Sequence, residues 1–178
     1  MKRLALTALA LTLALPAYAG ELAGVTMPDT DTLAGQALVL NGMALREKFF
    51  LDIYVGGLYI PAKSADGASV IAQDVPKKLH MSFIYSEVSA EKTIEAYQEV
   101  WDLDPNYPAL KTQADTFCSW IVGLKAGESM TIQYEPGVGT TLLVNDQPKG
   151  TIPGPEFMRL IFANYVGPNA NKVLRTGL

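Results

Sequence analysis

Residues 37–60 read ALVLNGMALREKFFLDIYVGGLYI, and the way this stretch divides decides the fold. Ala37 to Leu40 is short and apolar, and Asn41-Gly42 is a dipeptide that favours the tight turn of a hairpin. From Phe49 to Ile60 the chain is aromatic and β-branched, with Asp52 its single charge, which predicts a long central strand. Side chains alternate along a strand, so Leu51, Ile53, Val55 and Gly57 fall on one face and Phe50, Asp52, Tyr54 and Leu58 on the other. Both faces are largely apolar and both must be covered, so a second layer is expected over Tyr54.

Downstream of this strand, Asp66 to Gln73 suggests a short helix, and Leu79 to Ser86 alternates as a strand. Ser89 is a good N-cap, and Ala90, Ile94, Tyr97 and Trp101 recur at helical spacing until Asp104-Pro105-Asn106 stops the helix. Pro108 opens a second helix, whose apolar stripe of Phe117, Trp120, Ile121 and Leu124 is expected to run to Lys125-Ala126-Gly127. Ser129–Tyr134, Thr140–Val144 and Lys149–Ile152, separated by turns at 135–139 and Asn145-Asp146, read as a meander. A last helix follows Gly154-Pro155 and ends at Gly167. Strands, two helices, strands and a helix, joined by short turns, make an α+β fold: a mostly antiparallel sheet with helices on one face.

At the other end, Lys2 and Arg3 precede an uncharged run from Leu4 to Leu15 and the small residues of Pro16-Ala17-Tyr18-Ala19. This is the layout of a secretory signal peptide cut after Ala19, which leaves 20–178 as one domain. The run is too short to span a bilayer, which takes about 20 residues, so no membrane span is expected after cleavage. Loss of Lys2 and Arg3 takes the 14 basic residues to 12 against 18 acidic ones, a formal charge of −6. Such a surface attracts neither nucleic acid nor anionic lipid. Cys118 is the sole cysteine, so there is no internal disulfide, and export to a periplasm fits better than a disulfide-built secreted scaffold. Nothing in the sequence sets the oligomeric state.

Several short patterns invite chemistry. Ser89-Ala90-Glu91-Lys92 has Ser-x-x-Lys spacing and Arg175-Thr176-Gly177 echoes a Lys-Thr-Gly element, yet a helix cap with surface charges accounts for Ser89. His80 is the lone histidine and sits within a strand, so neither a zinc set nor a Ser-His-Asp arrangement can be assembled; no metal and no cofactor is expected. Arg46 stands out, a planar cation beside an aromatic strand, suited to grip a carboxylate or steady an oxyanion. Tyr54 could supply a hydroxyl donor to the same group. The plainer reading is a surface arginine paired with Glu47 or Asp52.

Asn41 to Arg46, Phe49-Phe50 and Tyr54-Val55-Gly56-Gly57-Leu58-Tyr59 together resemble the opening block of the chalcone isomerase-like family. Ala90-Glu91-Lys92, Phe117-x-x-Trp120, Pro136-Gly137-x-Gly139-Thr140, and Gly154-x-x-Phe157 with Gly167 are similar to its bacterial exported branch. The resemblance implies an open-faced β-sandwich, a curved antiparallel sheet backed by helices with a ligand cleft between. In the plant enzymes of this family an Arg steadies the anionic oxygens of the chalcone, and a Thr and a Tyr polarise its ketone. Arg46 matches that Arg, but Tyr54 falls on the Thr, Ser89 on the Tyr, and Ala96 on an Asn of the following helix turn. Loss of such donors costs about 10²-fold or more in comparable sites, so the resemblance points to the fatty-acid-binding relatives. These hold a carboxylate with an Arg and a Tyr, and Arg46 with Tyr54 would be the ligand-binding pair. An isomerase or intramolecular lyase acting on an enone or phenolic substrate, and a protein-interaction module of the cell envelope, are the alternatives.

Overall fold

The computed structural model describes residues 18–178, so residues 1–17 of the expected signal peptide lie outside the described residues. β1 (Tyr18–Leu22) and β2 (Val25–Pro28) form an antiparallel hairpin. A seven-stranded sheet follows, built from β3 (Thr30–Leu33), β4 (Gln36–Lys48), β5 (Leu51–Ile60), β6 (Lys77–Phe83), β9 (Ser129–Glu135), β10 (Gly139–Val144) and β11 (Gln147–Ile152). Its order is β11-β10-β9-β6-β5-β4-β3, antiparallel throughout. The helices are α1 (Gly67–Ala72), α2 (Ala90–Trp101), α3 (Tyr107–Cys118), α4 (Pro155–Val166) and α5 (Lys172–Gly177), and a small ribbon pairs β7 (Glu87–Val88) with β8 (Leu124–Lys125). The expected α+β architecture is therefore present.

Helix side chains and one sheet face make the main core, in which Trp101, Phe117, Phe157, Phe162, Leu58, Leu79, Met81 and Ile132 are almost wholly buried. A smaller core on the opposite face joins Met27, Leu38, Leu40, Val55 and Tyr59, so the β1–β2 hairpin covers the back of β4 and β5. The central strand is thus covered on both sides, as its composition requires.

The hairpin turn lies elsewhere than expected. β4 runs straight through Asn41-Gly42, and the turn to β5 is made by Phe49-Phe50, both at positive φ (53° and 65°). Asn41 is instead an extra residue in β4: Leu40 pairs with Tyr59 and Gly42 with Leu58. This bulge frees the Asn41 side chain, whose Oδ1 accepts from the Ser64 amide at 2.8 Å while its Nδ2 donates to the carbonyls of Ser64 and Leu178. Ala23-Gly24 and Ala34-Gly35 make two further two-residue turns with positive φ, which give strands upstream of residue 36 that the sequence reading omitted.

The helix starts follow the sequence. Asp66 caps α1 through Ala68 N and Ser89 caps α2 through Lys92 N. Lys92 meanwhile pairs with Glu95 at 2.8 Å, so Ser89 and Lys92 serve the helix and face no common substrate. The second helix ends earlier than expected, at Cys118. Ser119 Oγ turns back to the Thr116 carbonyl at 2.6 Å, and Ile121, Val122 and Gly123 disfavour further helix. Ile121 and Leu124 still reach the core, the latter from β8. Cys118 is a free thiol, half-buried, with burial pushing it up to about 11.

Candidate functional site

Arg46 and Tyr54 meet because of a second bulge. Lys48 pairs with Leu51 and Glu47 with Asp52, but Arg46 pairs with Tyr54, so Ile53 is the additional residue in β5. Without it Arg46 would oppose Ile53; with it the cation and the phenol stand directly across two strands and point to the same sheet face. Gly56 and Ala44 are the next pair on that face, and both belong to the helix side. Tyr54 leans along the sheet over Gly56, where an added Cβ would lie 3.6 Å from its Cε2 and 3.8 Å from Leu178 Cδ2. Across β6 its ring packs on Phe83 with centroids 5.4 Å apart.

Beneath it sits a pair of phenols. Tyr97 of α2 and Tyr165 of α4 share a hydroxyl–hydroxyl hydrogen bond of 2.5 Å, and Tyr165 Oη lies 3.5 Å from Met81 Sδ, the residue opposite Gly56. Burial raises all three phenols above their ordinary range, while the Arg46 charge pulls Tyr54 and Tyr165 partly back. They are neutral hydrogen-bond donors at any ordinary pH. Tyr97→Phe should lower stability by about 1 kcal/mol, since it leaves the Tyr165 hydroxyl only a sulfur neighbour; urea unfolding of the variant measures this.

The plainer reading of Arg46 does not hold. Among the described residues it has no carboxylate within 4.0 Å, and its one hydrogen bond is a long one of 3.4 Å to the Glu47 carbonyl. Tyr54 Oη likewise has no hydrogen-bond partner among those residues, and Arg46 is half-buried. A cation and a donor with unfilled hydrogen-bonding capacity on one face can hold an anionic oxygen pair. The layer beneath them is packed with aromatic side chains. Two small clefts lie elsewhere: one of about 110 Å³ beside Trp101, Leu160 and Pro168, and one of about 240 Å³ beside Ile60, Val70 and Lys77.

Lys77 is itself unusual. It is wholly buried and donates to the carbonyls of Val70, at 2.5 Å, and Gln73, at 2.7 Å, at the C-terminal end of α1; burial lowers it to about 8. Its place is that of a helix cap. His80 is on the outer sheet face, 2.9 Å from Thr131 Oγ1 and 3.3 Å from Ser82 Oγ, and burial lowers it, so it stays neutral. Neither touches the Arg46 site.

Sequence reasoning placed Arg46 and Tyr54 but missed Tyr97 and Tyr165; it counted Tyr97 only among the residues that recur at helical spacing. Their spacing gives no sign of a pairing 68 residues apart; the available signal was two phenols on buried helix faces, each needing a hydroxyl partner. Ser89, set by the family alignment at a catalytic tyrosine, stands at the helix cap.

No curated protein matches the chain in sequence. A solved structure similar to it is that of an Arabidopsis thaliana fatty-acid binding protein, with a TM-score of 0.64 and 16% identity over 85% of this chain and 90% of that one. At that identity the likeness speaks for the fold. The chalcone isomerase-like family matches residues 19–178, nearly the whole described chain, and the protein belongs to that family.

Proposed function

We propose that the protein is an exported binder of a small amphipathic carboxylate such as a fatty acid, and that it carries out no reaction on it. One observation carries this reading: an arginine without a carboxylate partner stands in register with a neutral tyrosine on the helix-facing side of the sheet. Arg46 takes the head group in a charge-assisted pair and Tyr54 donates to its second oxygen. The acyl tail would run from them toward the apolar layer that holds the Tyr97–Tyr165 pair. Fatty-acid binding by the Arabidopsis protein of the same fold supports the choice of ligand class.

Titration of the purified protein with laurate tests it. Arg46→Ala should weaken binding by about 30-fold, some 2 kcal/mol for a charge-assisted pair, with the melting temperature unchanged. Tyr54→Phe should cost about fivefold, the loss of one neutral donor. Equal affinity in Arg46→Ala, or no uptake by the wild type, sinks the reading. Loss of the enone absorbance of a chalcone would instead favour the isomerase alternative.

Export is part of the proposal. The basic start, apolar run and small residues support a cut after Ala19, which would leave β1 as Gly20–Leu22, still in register with Met27, Thr26 and Val25. Protein recovered from a periplasmic extract should begin at Gly20. An uncut chain confined to the cytosol would refute this.

A further inference from the structure

The end of the β4–β5 hairpin is a projecting ribbon. β3 pairs with β4 only as far as Val39, and β6 pairs with β5 only from Tyr54, so residues 47–52 have no strand beside them. At its apex Phe49 is 83% and Phe50 101% exposed, and Leu51 adds 43%. Both phenylalanines are held at positive φ, as a two-residue hairpin turn requires. Bulky side chains are disfavoured there, and Asn-Gly would make the same turn without strain. The fold therefore carries two costs at one place, backbone strain and bare aromatic surface, and neither ring belongs to a core.

We infer that the Phe49-Phe50 tip docks the protein on a lipid bilayer, its two rings entering the headgroup–acyl boundary. A narrow ribbon crowned by aromatics suits a fluid boundary, which opens to admit a wedge, better than a flat protein surface. The charges around the tip nearly cancel: on the ribbon itself Arg46 and Lys48 offset Glu47 and Asp52, and Lys48 lies 4.0 Å from Glu99, which leaves one negative charge over. The whole chain carries a formal charge of −4. The attraction is accordingly apolar, and anionic lipid adds little to it. Arg46 and Tyr54 sit at the base of the same ribbon, three pairs from the turn. If they hold an amphipathic acid, and this part rests on the function proposed above, the tip sets the site down where such acids dissolve.

The test is co-sedimentation of the purified protein, its N-terminus as the cell leaves it, with phosphatidylcholine vesicles. Wild type should pellet with them, with little change when 20% phosphatidylglycerol is added or salt is raised to about 0.5 M. The double variant Phe49→Asn/Phe50→Gly keeps the turn and relieves its strain, so it should melt no lower than wild type yet bind vesicles at least tenfold more weakly. Laurate affinity without vesicles should be the same in both. Equal pelleting of the variant, or none by wild type, overturns the inference. So does a wild-type dimer that the variant lacks, in the absence of vesicle binding, because the rings would then meet a second copy. Vesicle binding without any laurate uptake keeps the docking tip and removes the function proposed for Arg46.

Discussion

Gly42→Val should destabilise the fold by about 3 kcal/mol or more, because the room for a side chain there is already taken by backbone. A Cβ on Gly42 would stand 2.2 Å from the Gly177 carbonyl oxygen and 3.2 Å from that of Leu178. Backbone at the end of α5 cannot swing aside as a flexible side chain can. Either the strand bends at its bulge or α5 lifts off, exposing Leu174 and Leu178, each worth about 1.5–3 kcal/mol of burial. Leu178 also flanks Tyr54 across Gly56, so laurate binding should weaken along with stability. Chemical denaturation gives the measure: an unchanged midpoint would mean that α5 is not seated on β4.

Stability should climb between pH 8 and pH 10 and turn down above it. Lys77 is lowered from 10.5 to about 8 because its ammonium is desolvated, with Arg159 adding repulsion and Asp74 opposing. Within that window the unfolded chain holds a proton that the folded chain has released, so raising the pH favours folding. The gain is up to about 3 kcal/mol at roughly 1.4 kcal/mol per unit, reached only as pH approaches 10.5. The buried phenols of Tyr54, Tyr97 and Tyr165 act in the other sense: they keep protons that the unfolded chain loses above pH 10, so stability falls there. Urea unfolding from pH 7 to 11 should show the rise in wild type, and Lys77→Met should flatten it while leaving the alkaline fall. A rise of equal size in the variant would place its origin outside Lys77.

Periodicity carried much of the fold into the sequence. Alternation from Tyr54 to Ile60, the caps at Asp66 and Ser89, and Asn145-Asp146 between apolar runs each state a local physical preference that the fold obeys, whereas the extra residue Ile53 packs on the helix-side core with Tyr54 and turns Leu51 and Asp52 to the faces opposite those expected. Register was less legible. Asn-Gly marks a turn when strands on both sides want to end there, but Met43, Ala44 and Leu45 continue the apolar demand of β4, and tertiary burial overrode the turn preference. Phe49-Phe50 carries no glycine or asparagine, so nothing local announced it as a turn. The same limit hid half of the candidate site. Arg46 was visible as a cation beside an aromatic strand, but its alignment with Tyr54 depends on one unpaired residue, Ile53, which alternation alone does not reveal. Tyr97 and Tyr165 come together only when α2 and α4 pack, a long-range event with no local sign.

A sheet that never closes on itself leaves backbone donors and acceptors bare along its margins, where a second copy could pair. The outermost strands are poor templates for another copy. β3 has only four residues, two of them threonine and one aspartate; β11 carries Pro148, which lacks an amide proton, and the charged Lys149, beside a register shift at Leu142/Leu143. Where β4 outruns β3, the two irregularities of the β4–β5 pairing, Asn41 in β4 and Ile53 in β5, twist the free border out of line. The displacement that brings Arg46 to Tyr54 thus also helps keep one molecule from adding its strands to the next.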